Sequence, residues 1–271
     1  MKRFLSIILF LLPVFSSLSL AETIVEIRTS VGTMKIKLYD DAPNHLRAFT
    51  ARAQQGLYNG TLFTRVIPGF MIQGGASDSK NAPPGARVGS GDRNAEIMPE
   101  FNLNYFHKRG TLSAPRQDVS VNPQKKSDMS QFFIVQGKIY RPGELDTLEL
   151  VANQSARRKA MDEFYVPIRP EMDSLRQVDT QTYNARIRAI NAKIDSVVRA
   201  TPGHLIFTSE QREAYTTIGG TPHLDREYTI YGEVIEGFDV LDTIASQPRD
   251  AYDRPKNDVR IISVQVVRSE P

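Results

Sequence analysis

Apolar and polar residues alternate along both ends of the chain, and this two-residue period predicts β-strands there. Residues 22–28 and 34–39 alternate on either side of a turn at 31–33, which predicts a hairpin. Further strands are predicted over residues 63–75, 110–114, 130–135, 226–234 and 259–267. We therefore expect the two outer parts of the chain to be mainly β.

The middle of the chain follows a helical period instead. Between residues 172 and 198, apolar residues recur largely at spacings of three and four. Such a seam requires a partner helix, so we predict an antiparallel helical hairpin within residues 138–216. Two shorter helices are predicted outside it, one that begins at residues 41–44 and ends near Gly56, and one over residues 237–244.

Composition and charge narrow the classes of function. The 271 residues are 40% hydrophobic and 24% charged, as in an ordinary globular protein. The formal net charge is +3, and +1 without Lys2 and Arg3 (3 − 2 = 1), so neither nucleic acid nor an anionic membrane is an expected partner. The chain has no cysteine, which excludes disulfides and thiol catalysis, and its four histidines lack the spacing of metal ligands. We expect no metal and no cofactor.

Residues 1–21 have the pattern of a secretory signal peptide. Two basic residues precede a short apolar run over residues 4–14, and residues 19–21 offer a small-x-small cleavage site. An uncleaved membrane anchor is the alternative, although the run is short for a bilayer span. We expect cleavage after about Ala21 and an exported protein without a membrane span. The absence of cysteine favours a bacterial periplasm.

Residues 63–75 combine several kinds of chemistry in one short stretch. They place one fixed cation, Arg65, one amide, Gln73, and two large apolar side chains, Phe70 and Met71, within nine residues. These side chains predict an apolar pocket with a guanidinium and an amide at its rim.

Two more blocks follow in order, one over residues 130–135 (Ser-Gln-Phe-Phe-Ile-Val) and a partial one over residues 223–234. Together the blocks resemble the signature segments of the cyclophilin family of peptidyl-prolyl cis-trans isomerases. The resemblance implies a closed eight-stranded β-barrel capped by two helices, and the predicted order of strands and helices fits it. It also implies a discontinuous isomerase domain, residues 22–137 and 217–271, into which residues 138–216 are inserted as the helical hairpin.

The resemblance assigns roles to individual residues. Arg65 matches the catalytic arginine, and Gln73 matches the glutamine that holds the arginine and the substrate carbonyl. The matches to substrate-binding residues of the groove are Phe70, Met71, Gln131, Phe133, His223, Leu224 and Tyr228. His223 and Tyr228 stand where eukaryotic members often have tryptophan and histidine, and Pro115 stands where the family has a small residue beside the groove.

These residue types suit rotation about an X-Pro peptide bond. Rotation breaks amide resonance, at a cost of roughly 18–20 kcal/mol, and the proline nitrogen gains a lone pair in the twisted state. A donor at that nitrogen binds the transition state more tightly than the planar ground state, and Arg65 supplies a donor that stays charged. Gln73 is expected to orient the guanidinium while the apolar residues hold the proline ring.

The first hypothesis is therefore an exported prolyl isomerase that acts, without a cofactor, on proline-containing segments of unfolded or folding exported proteins. Two alternatives concern the helical residues 138–216. In the first, the protein is a chaperone or binding module, and the apolar seam over residues 172–198 binds unfolded chains. Alternatively, the helical residues would form a dimerisation arm that packs against the same residues of a second copy of the chain. The sequence does not decide the oligomeric state.

Overall fold

The computed structural model describes residues 22–268, so the expected signal peptide of residues 1–21 lies outside the described residues. The strands are β1 (Thr23–Thr29), β2 (Gly32–Leu38), β3 (Phe63–Ile67), β4 (Met71–Gly74), β5 (Glu96–Ile97), β6 (Thr111–Ser113), β7 (Ser127–Asp128), β8 (Phe132–Val135), β9 (Ile230–Glu236) and β10 (Ile261–Arg268). Strands β5 and β7 pair with each other, and the other eight form an antiparallel sheet in the order β10-β1-β2-β9-β6-β8-β4-β3. Outside residues 142–217 the fold is mainly β, as the alternation predicted.

Residues 63–75 form a hairpin rather than one strand. Strands β3 and β4 are joined by a turn at Pro68 and Gly69, where Gly69 has a φ of +73°. Proline presets the first central position of such a turn, and glycine accepts the positive φ at the second. The turn places Arg65 opposite Gln73 on the neighbouring strand.

The closed barrel that we expected is wrong in one respect, because the strand ladder is open between β3 and β10. The sheet curls so that its two outer strands approach each other, and an isolated bridge joins Leu62 to Arg260. Further along β3, the Val66 amide instead donates to the Asp253 carbonyl at 2.8 Å. The loop before β10 therefore lies along the outer edge of β3, where β10 would pair in a closed ladder.

Helices α1 (Pro43–Gln54) and α7 (Phe238–Ala245) pack against the curled sheet. The proline at the start of α1 suits a first helical turn, where its missing amide would have no intrahelical partner. Phe49 of α1 and Leu241 of α7 are fully buried in the main core. Strands β1 and β2 contribute the inward residues of their alternation to this core: Val25, Ile27, Met34 and Ile36.

Residues 142–217 hold five α-helices, where the sequence predicted one hairpin. They are α2 (Pro142–Ala152), α3 (Gln154–Phe164), α4 (Arg169–Val178), α5 (Thr180–Ala200) and α6 (Ser209–Thr217). The apolar seam divides at Asp179, whose carboxylate accepts from the Thr182 amide at 3.0 Å and caps α5. Helices α3 and α4 pack on α5 around Met172, Ile190 and Ile194.

A second apolar cluster joins the helical segment to the chain just before β6. Its buried members are Phe106, Leu145, Phe207 and Tyr215. Tyr215 belongs to α6, so this helix is fixed to the sheet side of the molecule. Among the described residues, none of the helices combines the length and the apolar character needed to span a bilayer. The division of the chain into an isomerase domain and an insertion over residues 138–216 stays a prediction.

Candidate active site

Neighbouring strands bring one residue each into a row across the sheet. Arg65 on β3 pairs with Gln73 on β4, and Gln73 pairs with Phe133 on β8. Residues that pair directly place their side chains on the same face, so the cation, the amide and the ring share one face of the sheet. Ser113 on β6 continues the row beside Phe133.

An apolar cluster lies beside this row. Met71, Phe133, Val135 and Leu224 are buried in it, and other apolar side chains pack against them. The cluster and the row bound a cleft of about 260 Å³. Its lining residues are Arg65, Phe70, Met71, Gln73, Pro115, Arg116, Phe133, Leu224 and Tyr228. Seven of the nine predicted site residues therefore line one cleft, and the exceptions are Gln131 and His223.

Gln131 lies beside the cleft wall and holds Gln73. It is 3% exposed, and its Oε1 accepts a hydrogen bond from Gln73 Nε2 at 3.0 Å. Its own amide nitrogen donates to Asp128 Oδ2 at 3.4 Å. Within residues 22–268 no hydrogen bond joins Gln73 to Arg65, so the orienting role expected of Gln73 stays a prediction.

His223 contacts the cleft through Phe70. The two ring centroids are 5.4 Å apart, with the planes tilted by 30°. Desolvation by surrounding groups lowers the pKa of His223, and the nearby His107 lowers it further. The imidazole is therefore neutral at pH 7 and supplies a ring contact rather than a charge.

The Arg65 side chain is 46% exposed, and its Nε lies 3.5 Å from Asp253 Oδ2. The other carboxylate oxygen of Asp253 lies 3.1 Å from Arg249 Nε. One carboxylate thus serves two guanidinium groups, and the three side chains together keep a net positive charge. In the part of the chain that the structure describes, the terminal amino groups of Arg65 have no hydrogen-bond partner. They remain available as donors in the cleft.

One wall of the cleft is a stack of three side chains. The guanidinium carbon of Arg116 lies 4.7 Å from the Tyr228 ring centroid, and Tyr228 meets Phe133 edge-on at 5.6 Å. Arg116 is held in place by Glu227, because its Nε and Nη2 donate to the carbonyl and the carboxylate of that residue, both at 2.9 Å. The aromatic faces are thereby fixed before any ligand arrives.

A buried polar network supports the same wall. The His107 ring lies parallel to the Phe133 ring, with centroids 6.2 Å apart. Asp225 Oδ1 accepts from the His107 amide at 2.7 Å and lies 3.0 Å from His107 Nδ1, while Oδ2 accepts from the Tyr215 hydroxyl at 2.6 Å. Burial raises the pKa of Tyr215, and Asp225 raises it further, so the hydroxyl remains a donor. The network links α6 to the cleft.

Sequence reasoning missed the residues that support the cleft from behind, among them Arg116, Tyr215, Asp225 and Asp253. Arg116 follows Pro115 in a segment that we compared with the family, so its position was an available signal. Asp225 lies inside the block over residues 223–234, but its partner His107 is 118 residues away, and no local pattern joins the two. Across residues 22–268, no three His, Asp or Glu side chains are grouped so that they could hold a metal ion.

Comparisons with known proteins identify the family of this chain. A family model described as cyclophilin type peptidyl-prolyl cis-trans isomerase/CLD matches residues 24–166 and 161–266. A relative from Staphylococcus saprophyticus, provisionally named a peptidyl-prolyl cis-trans isomerase, is 30% identical over 241 residues, which are 88% of this chain and 89% of the relative. A relative from Streptococcus pyogenes, provisionally named a bifunctional phosphatase/peptidyl-prolyl cis-trans isomerase, is 29% identical, and the match spans 38% of its length.

Solved structures show the same fold. A crystal structure of a Cryptosporidium parvum cyclophilin type peptidyl-prolyl cis-trans isomerase matches with a TM-score of 0.51 at 20% identity, covering 92% of this chain and 99% of that one. A second structure of that protein, in the presence of the dipeptide Ala-Pro, matches with the same TM-score and covers 91% of this chain. The family resemblance seen in the sequence is thus confirmed, and this chain belongs to the cyclophilin-type peptidyl-prolyl cis-trans isomerase family.

Proposed function

We propose that this protein accelerates cis-trans isomerisation of X-Pro bonds in exported proteins as they fold. The observation that carries the proposal is the position of Arg65, whose terminal amino groups have no hydrogen-bond partner within residues 22–268 and share a cleft with Phe70, Met71 and Phe133. A proline ring is apolar and compact, and a wall of aromatic and thioether groups suits it. A guanidinium beside that wall supplies the donor that the twisted bond requires.

The reaction needs no covalent step. The proline ring enters the apolar cluster, and the peptide bond that precedes it lies along the row of Arg65 and Gln73. As the bond twists, the proline nitrogen becomes pyramidal, and an Arg65 N–H donates to its new lone pair. This interaction is absent in the planar ground state, so it lowers the barrier rather than merely tightening binding. Gln73, held by Gln131, offers an amide to the substrate carbonyl.

The activity is tested by exchange NMR on an Ala-Pro peptide, in which separate cis and trans signals report the exchange rate directly. The uncatalysed exchange takes tens to hundreds of seconds. Catalytic amounts of the protein should produce exchange within a fraction of a second. Exchange at the uncatalysed rate in the presence of folded protein would refute the proposal.

Export rests on residues 1–21 and is a separate part of the proposal. The full-length chain, expressed in a Gram-negative host, should be found in the periplasmic fraction with a mature N-terminus near Glu22. Mass spectrometry of the purified protein measures that terminus. Recovery of the protein from the cytoplasm with residues 1–21 still attached would contradict export. It would not bear on the isomerase activity, which is tested separately.

A second candidate function is binding of unfolded chains by the helices. The predicted seam is not available for this, because Met172, Ile190 and Ile194 are buried within the helical cluster. A different surface favours the idea: the groove of α2 and α3, which we call the α2–α3 groove. It has a volume of about 500 Å³, and its exposed apolar members are Leu150, Val151, Met161 and Val166.

A double variant tests this candidate. Leu150→Ser with Val151→Ser removes apolar surface from the α2–α3 groove, and Val178→Ser, a residue 79% exposed on α4, removes it elsewhere. If the groove binds clients, only the double variant should lose the ability to suppress aggregation of a denatured test protein. If wild type, the double variant and Val178→Ser suppressed aggregation equally, the α2–α3 groove would not be a binding site for unfolded chains.

A further inference from the structure

A long, half-exposed arginine side chain samples many rotamers unless a partner holds it. The amide that we expected to hold Arg65 is engaged elsewhere, since Gln73 donates to Gln131 at 3.0 Å. The charged group beside Arg65 is Asp253, with Oδ2 lying 3.5 Å from Nε. The question is whether this carboxylate is itself fixed well enough to position a catalytic group.

The turn that carries Asp253 is highly constrained. Asp253 has a φ of +63°, a left-handed conformation that aspartate and asparagine tolerate better than most residues. Asp250 stabilises the turn, because its Oδ1 accepts from the Tyr252 amide at 2.8 Å and from the Arg254 amide at 3.0 Å. The backbone closes as well, since the Asp250 amide donates to the Arg254 carbonyl at 2.8 Å.

The same turn is anchored in the protein interior. Arg254 is only 2% exposed, and its Nε and Nη2 donate to the two carboxylate oxygens of Asp258 at 3.0 and 2.9 Å. Its Nη1 donates to the carbonyls of Pro83 and Ala86 at 3.2 and 2.7 Å. A buried bidentate arginine of this kind fixes the neighbouring backbone closely.

The turn is also tied to the strand that carries Arg65. The Asp253 carbonyl accepts from the Val66 amide at 2.8 Å, and Val66 is the residue next to Arg65 on β3. The carboxylate is thus held at a set distance from the backbone of the residue that it faces.

The charges in this cluster suit positioning without neutralisation. Asp253 contacts Arg65 through one oxygen and Arg249 through the other, at 3.5 and 3.1 Å. Because two cations share one anion, Arg65 keeps a positive field towards the cleft. The pair is partly exposed to solvent, so it contributes little to stability, and its effect is on orientation. The carboxylate faces Nε, which leaves the terminal amino groups for the substrate.

We infer that Asp253 is a positioning residue for the isomerase reaction, which holds the Arg65 guanidinium in its productive orientation. The inference rests on the proposed function, since it assigns to Asp253 a role that acts through Arg65. It also predicts that the two residues are energetically coupled, and that removal of the Asp253 charge has no effect on the rate once the Arg65 guanidinium is gone.

The test is a double-mutant cycle with Asp253→Asn and Arg65→Lys, measured by exchange NMR on an Ala-Pro peptide. Asparagine keeps the positive φ and a carbonyl oxygen, so this variant removes the charge and preserves the turn. With Arg65 present, Asp253→Asn should lower kcat/KM about tenfold, equivalent to ~1.4 kcal/mol of lost transition-state stabilisation. In the Arg65→Lys background it should cause no further loss.

Three results would overturn the inference. The first is a wild-type rate in Asp253→Asn. The second is an equal loss in both backgrounds, which would mean that Asp253 supports the fold and not Arg65. The third is an unchanged Arg65 Nε–H resonance in Asp253→Asn, which is measured without substrate. A wild-type protein that fails to catalyse exchange would refute the proposed function, while this resonance would still decide whether Asp253 orders Arg65.

Discussion

The replacement of Tyr215 by phenylalanine tests whether α6 is coupled to the cleft as the buried network indicates. The change removes one hydroxyl, which donates to Asp225 Oδ2 at 2.6 Å, and leaves the ring in place. The Asp225 side chain is 5% exposed, so water has little access to replace the lost donor. A hydrogen bond to a charged group contributes about 1.5–3 kcal/mol, so we expect the free energy of unfolding to fall by about 2 kcal/mol.

Urea denaturation measures this loss. With a slope of about 2 kcal/mol per molar urea, the midpoint should fall by ~1 M. The matched control is Tyr140→Phe: this partly buried tyrosine packs near Tyr215, with ring centroids 6.3 Å apart, but its hydroxyl has no hydrogen-bond partner among the described residues. It should change the midpoint very little. If Tyr215→Phe were as stable as Tyr140→Phe, the hydrogen bond between Tyr215 and Asp225 would not hold α6 in place.

Two further predictions concern the cleft and the core. Phe70→Ala removes a half-buried wall of the cleft, so kcat/KM measured by exchange NMR should fall about tenfold while the unfolding free energy changes by less than ~1 kcal/mol; an unchanged rate would contradict the proline pocket. His45 is fully buried, and burial lowers its pKa more than Glu100, 2.6 Å away, raises it. Below pH ~6.5 the unfolded state therefore protonates His45 more readily than the folded state does. Acidification should then lower the free energy of unfolding, by at most ~1.4 kcal/mol per pH unit for the one proton at His45. Urea titrations at several pH values should show that the unfolding free energy of His45→Gln depends less on pH than that of wild type. An equally steep dependence in both proteins would mean that His45 is not the group responsible.

Local patterns predicted most strands of the large sheet and grouped the cleft residues of the first block, whereas the family resemblance assigned the other predicted cleft residues. Alternation in β1 and β2 follows directly from the two faces of a sheet, and the buried residues of both strands match it. The cleft residues of the first block share one hairpin, so spacing along the chain was sufficient to group Arg65 with Phe70, Met71 and Gln73. The Pro-Gly pair was a visible turn signal within a stretch that we predicted as one strand.

Contacts between distant segments could not be predicted in the same way. The position of Asp253 depends on a left-handed turn, a buried Arg254 and a strand edge, and none of these is a periodic feature of the sequence. The open ladder likewise involves distant segments, because the Val66 amide on the edge of β3 donates to the Asp253 loop and not to β10. The division between α4 and α5 depends on Asp179, which caps α5 although the apolar residues continue at helical spacing on both sides of it.

Exchange NMR on an Ala-Pro peptide decides whether Arg65 stabilises the twisted X-Pro bond. Wild type, Arg65→Lys and Arg65→Ala are compared at equal concentration, with folding checked by chemical-shift dispersion. The side chain is 46% exposed, so its removal should leave the fold intact. We predict rapid exchange with wild type, a large loss with Arg65→Lys, and exchange near the uncatalysed rate with Arg65→Ala. Exchange at the wild-type rate with folded Arg65→Ala would show that the guanidinium is not the catalytic group.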